Sequence, residues 1–184
     1  PGLFIPILEK SGEIIDLDLS MLETLCNDIH NYRNQGYIIV PASCNLSRRD
    51  FEFSDIEDRI INIIRKYNVQ TRDIVIEVTE TTNLEEKDRL AQFINTMKKN
   101  GIMTSVDDFG TGYSSLSVLR DFKVNEIKID RSFINRETIS DSDEIIISSI
   151  IDMAKKLNIN VICEGVETEK QIEFLTRLGC FRAQ

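Results

Sequence analysis

Soft metal ligands are scarce in this chain: it has one histidine, His30, and four cysteines, Cys26, Cys44, Cys163 and Cys180, far apart and without CxxC spacing. That scarcity excludes a zinc cluster and a disulfide framework. Isolated cysteines inside apolar runs fit a reducing compartment, where they act as small buried hydrophobes. His30 lies on a polar helix and reads as a surface residue rather than a catalyst. Positive charge is also short, with 22 basic against 31 acidic residues and a net charge of −9. This argues against binding a nucleic-acid polymer, while a small phosphorylated ligand held through metal ions stays open. No apolar run approaches the roughly 20 residues of a membrane span and no signal-peptide pattern opens the chain, so this segment is expected to be soluble, cytoplasmic and free of membrane contact. There is no Pro-rich linker, and 184 residues at 41% hydrophobic content predict one domain or part of one. The chain starts at Pro1-Gly2-Leu3 without an initiator methionine and stops at Ala183-Gln184, so both ends read as cut from a longer protein.

What is present is a regular alternation of apolar periods. Leu3 to Ile7 is a short apolar opening, followed by a turn at Ser11-Gly12 and a helix from about Asp18 to Gln35, with Leu22, Leu25, Cys26 and Ile29 at helical spacing. Tyr37 to Val40 predicts a strand, and a helix over about Ser54 to Tyr67 faces Ile56, Ile60, Ile61 and Ile64 inward. Ile74 to Val78 is β-branched and nearly continuous in apolar character, as suits a strand buried on both faces, with Glu77 interrupting it. A helix from Glu85 to Asn100 is closed by Gly101, and a strand over 101–106 ends at Asp107-Asp108. Glu126 to Asp130 and Asn160 to Cys163 are further strands, separated by a helix from about Ser142 to Leu157. A helix from Glu169 to Leu178 closes at Gly179, and Cys180 would begin one more strand. Six strands, beginning near 37, 74, 102, 126, 160 and 180, alternate with helices and therefore imply βαβ units and a mostly parallel sheet. A (β/α)8 barrel or a doubly wound sheet fits, and a barrel would be incomplete at both ends.

In a parallel barrel the C-terminal strand ends share one face, which here would collect Asn45, Glu77, Glu80, Asp107, Asp108, Lys128, Asp130, Glu164, Glu167 and Gln184. Alone, Asp107-Asp108 before a glycine-rich turn fits a helix cap with a solvated neighbour. Carboxylates and amides recurring at successive strand ends favour a metal site instead, and oxygen ligands without His or Cys select Mg2+ or Mn2+ before Ca2+. Lys128, between Ile127 and Ile129, faces away from both and reads either as an ion-pair partner or as a group acting on the reaction; acidic neighbours favour its ammonium form. Asp130 and Glu167 read equally as supports of the site or as plain caps.

Asn45-Leu46-Ser47, Glu77-Val78-Thr79-Glu80, the run from Asp107 to Leu116, Lys128-Ile129-Asp130, Glu164-Gly165-Val166-Glu167-Thr168 and Gly179-Cys180 with Gln184 together resemble, in order, the motifs of the EAL domain family. The resemblance spans the chain, so residues 1–184 are read as a partial EAL domain whose Glu-Ala-Leu signature strand would lie upstream of Pro1 and whose last strand would follow Gln184. It implies a TIM-like barrel that hydrolyses cyclic di-GMP to linear pGpG with two metal ions. Asn45, Glu77 and Asp107 would hold the first ion, Asp107 and Asp108 the second, and Glu164 and Gln184 would complete the site directly or through water. Lys128 would contact the attacking water, and Glu80 would anchor the loop after Asp108. The resemblance further implies a homodimer formed near the Asp107–Leu119 loop, and GGDEF, PAS or membrane-tethered sensory segments in the parent chain. Two rivals stand beside this reading: a catalytically silent EAL-like module that binds cyclic di-GMP or a protein partner, and an aldolase-type barrel using Lys128 as a Schiff-base nucleophile.

Overall fold

The computed structural model of the protein describes residues 2–79, 84–111, 119–134 and 140–184. It divides into two compact units, one reaching from the N-terminus through Thr104 and one from Ser105 to Gln184.

In the first unit the opening residues are helical rather than merely apolar: α1 spans Ile5–Ser11, with Pro6 in its first turn and Gly12 ending it at φ 80°. Both are favourable positions, since Pro at a helix start removes an amide that has no intrahelical acceptor and Gly tolerates the left-handed cap. α2 (Ile14–Asn34) then begins four residues before the expected Asp18. Its buried stripe of Leu22, Cys26 and Ile29 packs toward α3 (Ile56–Lys66), whose Ile56, Ile60 and Ile64 are also buried.

The first strand corrects the reading of Tyr37 to Val40. Those residues lie outside any regular element, with Ile38 94% and Val40 77% exposed, and β1 is Ala42–Leu46 instead. Here Cys44 and Leu46 are buried while Ser43 and Asn45 are exposed, the alternation of a strand with one covered face. The apolar run before Pro41 has strand composition, but the partner strand decides the register. β2 (Ile74–Thr79) pairs in parallel with β1 from Ala42↔Ile74 to Leu46↔Val78. α4 (Leu84–Lys99), which packs against α3, buries Leu90, Phe93, Ile94 and Met97.

The strand β3 (Met103–Phe109) leads into the second unit, where its residues from Ser105 onward pair in parallel with β4 (Glu126–Ile129). β4 in turn pairs in parallel with β5 (Asn160–Cys163). Between them α5 (Asp141–Lys156) starts at a capping box of Ser140 and Asp143 and buries Ile147, Ile150, Ile151 and Ala154. α6 (Glu169–Arg177) starts at a second capping box, Thr168 with Gln171. Each box satisfies amides that the first helical turn leaves free, a contribution of about 1 kcal/mol. The expected strand at Cys180 to Gln184 is reduced to a single parallel bridge, Cys163↔Ala183. Among the described residues no helix is long and apolar enough to cross a membrane.

Candidate active site

Successive side chains of a regular strand point to opposite faces, so Asp107 and Asp108 should diverge. They do not, because β3 carries a bulge at that point. Val106 pairs with Ile127 and Phe109 with Ile129, leaving Asp107 and Asp108 opposite the single residue Lys128. Asp108 absorbs the extra residue by adopting φ 54°, a left-handed conformation that Asp tolerates better than bulkier residues. The turn is closed locally: the Asp108 amide donates to Asp107 Oδ1 at 3.0 Å, and the Thr111 hydroxyl donates to the Asp108 carbonyl at 2.9 Å.

Lys128 reaches this bulge from β4 with its side chain 3% exposed. Its Nζ lies 2.5 Å from Glu164 Oε1 and 3.5 Å from Asp107 Oδ1. Glu164 is delivered just past the end of β5, where its amide donates to the Ile129 carbonyl at 3.0 Å. Carboxylate oxygens of Asp107, Asp108 and Glu164 consequently lie within 4.8 Å of one another. Burial raises the Asp108 carboxyl above its ordinary pKa, the charges of Asp107 and Asp130 raise it further, and Lys128 and Arg131 oppose them. A divalent cation relieves that repulsion, and an all-oxygen donor set without soft atoms suits a hard one, so these residues fit such an ion.

In the first unit the register sets Asn45 directly beside Glu77. Glu77 is 4% exposed and Asn45 open to solvent. Gln184 is tied to β5 through its backbone, donating to the Cys163 carbonyl at 2.9 Å and accepting from the Val166 amide at 3.2 Å. Asp130 caps the short 3-10 helix Arg131–Phe133 by accepting from the Ser132 amide at 2.9 Å. Burial pushes the Asp130 carboxyl up, but hydrogen bonds from Ser132 and Arg131 and the Arg131 charge outweigh it and hold the group below its ordinary pKa. Glu167 is exposed, immediately ahead of the Thr168 cap. Glu80 and residues 112–118 of the glycine-rich loop lie outside the described residues.

His30 is not a plain surface group. It is half-buried and bridges α2 to the end of α3, with Nδ1 2.8 Å from the Tyr67 carbonyl and Nε2 2.8 Å from the Asn34 amide nitrogen. All four cysteines are buried free thiols, and the sulfurs of Cys163 and Cys180 lie 3.8 Å apart.

Two features escaped sequence reasoning. One is a buried carboxyl pair, Asp18 and Asp50, both in reach of the Ser47 amide, at 2.9 and 3.1 Å. The other is the seating of two glycines. A Cβ on Gly110 would lie 2.6 Å from the Phe133 ring, and one on Gly165 would lie 2.5 Å from Arg131 Cβ. A carboxylate 32 residues from its partner leaves no periodic trace, whereas glycines after Asp108 and Glu164 were visible hints of close approach.

The EAL domain family model matches residues 1–184. The chain is 36% identical over 180 residues to the bifunctional diguanylate cyclase/cyclic di-GMP phosphodiesterase MucR of Pseudomonas aeruginosa, covering 98% of this chain and 26% of the relative. The chain belongs to the EAL domain family. A second relative, the probable cyclic di-GMP phosphodiesterase PdeG of Escherichia coli, is 34% identical over 180 residues, 96% of this EAL chain and 35% of the relative. A solved MucR phosphodiesterase in complex with c-di-GMP superposes with a TM-score of 0.90 at 35% identity, covering the whole of this chain and 80% of that one. The fold class is therefore the α/β, TIM-barrel-like one of EAL domains, of the two architectures the βαβ pattern allowed. The EAL chain spans between a quarter and about a third of the length of these two curated relatives, 26% and 35%.

Proposed function

We propose that this EAL chain is the catalytic segment of a metal-dependent phosphodiesterase that hydrolyses cyclic di-GMP to linear pGpG. The observation that carries the reading is the meeting of Asp107, Asp108 and Glu164 oxygens within 4.8 Å of one another, with Lys128 beside them. Relatives named as cyclic di-GMP phosphodiesterases support the substrate.

In this proposal Asp107, Asp108, Glu164 and Gln184 of the second unit are ligands for Mg2+ or Mn2+ in a two-metal reaction, and Asn45 and Glu77 of the first unit are proposed as ligands as well. When bound, such ions lower the pKa of a water and neutralise charge on the phosphodiester. The chain's own residues do the rest. The bulge aims two adjacent carboxylates at one point, which a regular strand cannot do. Lys128, an ammonium in contact with two carboxylates, is a poor proton acceptor; it orients the attacking water and offsets charge developing on phosphorus oxygens. One P–O bond forms to water, the P–O bond to a ribose 3′ oxygen breaks, and the proton lost by the water passes through solvent to the departing 3′ oxygen, which leaves as a hydroxyl. A cytoplasmic location, a homodimer and GGDEF, PAS or sensory neighbours belong to the same proposal as the setting in which such a segment works.

The test is turnover of cyclic di-GMP by the full-length protein, followed chromatographically as pGpG. Expected is Mg2+-dependent product that EDTA abolishes and added Mg2+ or Mn2+ restores. Binding of cyclic di-GMP without product would instead support a silent module, and turnover indifferent to EDTA would overturn the metal reading.

A further inference from the structure

The two acid-bearing loops of the second unit rest on the same three residues. The chain leaves β4 at Ile129, one residue after Lys128, and winds at once into the 3-10 helix Arg131–Phe133. Gly110, two residues after Asp108, lies so close to the Phe133 ring that a Cβ there would stand 2.6 Å from it. Gly165, the residue after Glu164, lies so close to Arg131 that its Cβ would stand 2.5 Å from Arg131 Cβ. Real Cβ atoms do not approach so closely, and both glycines lie in the left-handed region, at φ 101° and 69°, so a side chain at either place forces a shift of loop or helix. The helix is itself held at both ends: Asp130 accepts from the Ser132 amide at 2.9 Å, and Gln171 Nε2 donates to the Ile134 carbonyl at 2.9 Å.

We infer that Phe133 and Arg131 are positioning residues, a shared floor that sets the distance between the Asp107-Asp108 bulge and Glu164 and so the fit of the carboxylates around a divalent cation. Neither residue need touch the ion or the substrate. Phe133 supports one wall of the site through Gly110, and the Arg131 backbone and Cβ support the other through Gly165. A floor common to both walls moves them together, whereas separate supports would let the carboxylate spacing drift. Because metal sites respond to small displacements of their ligands, removing such support costs about 10- to 100-fold in metal affinity.

This rests on the metal reading above, so the experiment reads metal binding without substrate: Mn2+ titration of the full-length protein, monitored by electron paramagnetic resonance. Wild type should bind Mn2+, and Phe133→Ala should weaken binding about tenfold, with kcat recovering at saturating Mn2+ and KM for cyclic di-GMP unchanged. Phe133→Ala also removes packing, so a second comparison decides independently of its stability. Gly110→Ala should bind Mn2+ poorly because of the ring, and combining it with Phe133→Leu, a smaller side chain, should recover part of the affinity; the cost of the Gly110 backbone conformation is common to both variants. A folded Phe133→Ala protein with wild-type Mn2+ affinity, or no recovery in the double variant, overturns the shared floor while leaving the metal site standing. Absence of Mn2+ binding by wild type overturns both.

Discussion

The two units each gather carboxylates, and they neutralise them in different ways. In the first, Asp50 is fully buried and Asp18 9% exposed, both set about the Ser47 amide, and Asp50 Oδ1 has no hydrogen-bond partner among the described residues apart from what a shared proton would supply. Burial, then the hydrogen bond and charge of Asp18, push the Asp50 carboxyl up to about 8. In the second, Asp107, Asp108 and Glu164 keep contact with solvent and Lys128 projects among them. Two carboxyls in a dry site keep a proton between them; partly wet carboxylates grouped around an ammonium are an arrangement that tolerates ionisation. Proximity of acidic groups is therefore not in itself a metal site, and the difference lies in burial and in the nearest cation.

The largest effect that would break this contrast is at the wet cluster. Asp107→Asn or Glu164→Gln should lower Mg2+-dependent pGpG formation by about 10³-fold or more while leaving the thermal midpoint of the metal-free protein within a few degrees of wild type. Near-normal turnover would show that the cluster is a solvated acidic patch. Lys128→Met should come next, a fall of roughly 10²-fold in kcat, and under the proposed role, in which the ammonium orients water and offsets charge, the loss should not be recovered at high pH. Recovery at high pH would mean that deprotonation of another group substitutes for it.

The dry pair sharpens the contrast through pH. An acid whose pKa is raised on folding stabilises the protein fully below the unfolded carboxyl pKa of about 4, and that contribution is lost as pH rises through about 8 for Asp50. The unfolding free energy should therefore fall across that window by up to about 1.4 kcal/mol per pH unit for the one proton. Asp50→Asn, which can still accept from the Ser47 amide, should flatten the profile, so urea denaturation of variant and wild type should differ by more at pH 8 than at pH 5, in the variant's favour. Parallel profiles would remove the shared proton. The smallest effect is expected at Asp130, where replacement by Ala removes a cap and should cost about 1 kcal/mol of stability by the same measurement.

Much of the frame was legible from local pattern. The isoleucines of α3, the Leu90–Met97 stripe of α4 and the glycines ending α1 and following α4 act through contacts a few residues apart, which is the range over which a sequence period is informative. Site legibility was similar in kind. Acidic residues at strand ends could be picked out one by one, because a strand end is a local event. Strand composition alone misled at Tyr37 to Val40, since Ala42–Leu46 is chosen by its pairing with Ile74–Val78, a choice made between segments some 30 residues apart.

Local chemistry in the chain dictated where helices start and stop, which residues face inward, and that acidic and amide side chains would stand at the ends of strands. Tertiary contacts alone decided that carboxylate oxygens of Asp107 and Asp108 meet within 4.8 Å of one another, that Glu164 Oε1 lies 2.5 Å from Lys128 Nζ, and that burial beside Asp18 raises the Asp50 carboxyl. The reason is one of range: propensity and periodicity are set by neighbours along the chain, whereas the bulge, the ion pairs and the dry pocket depend on groups that meet only once distant segments have folded together.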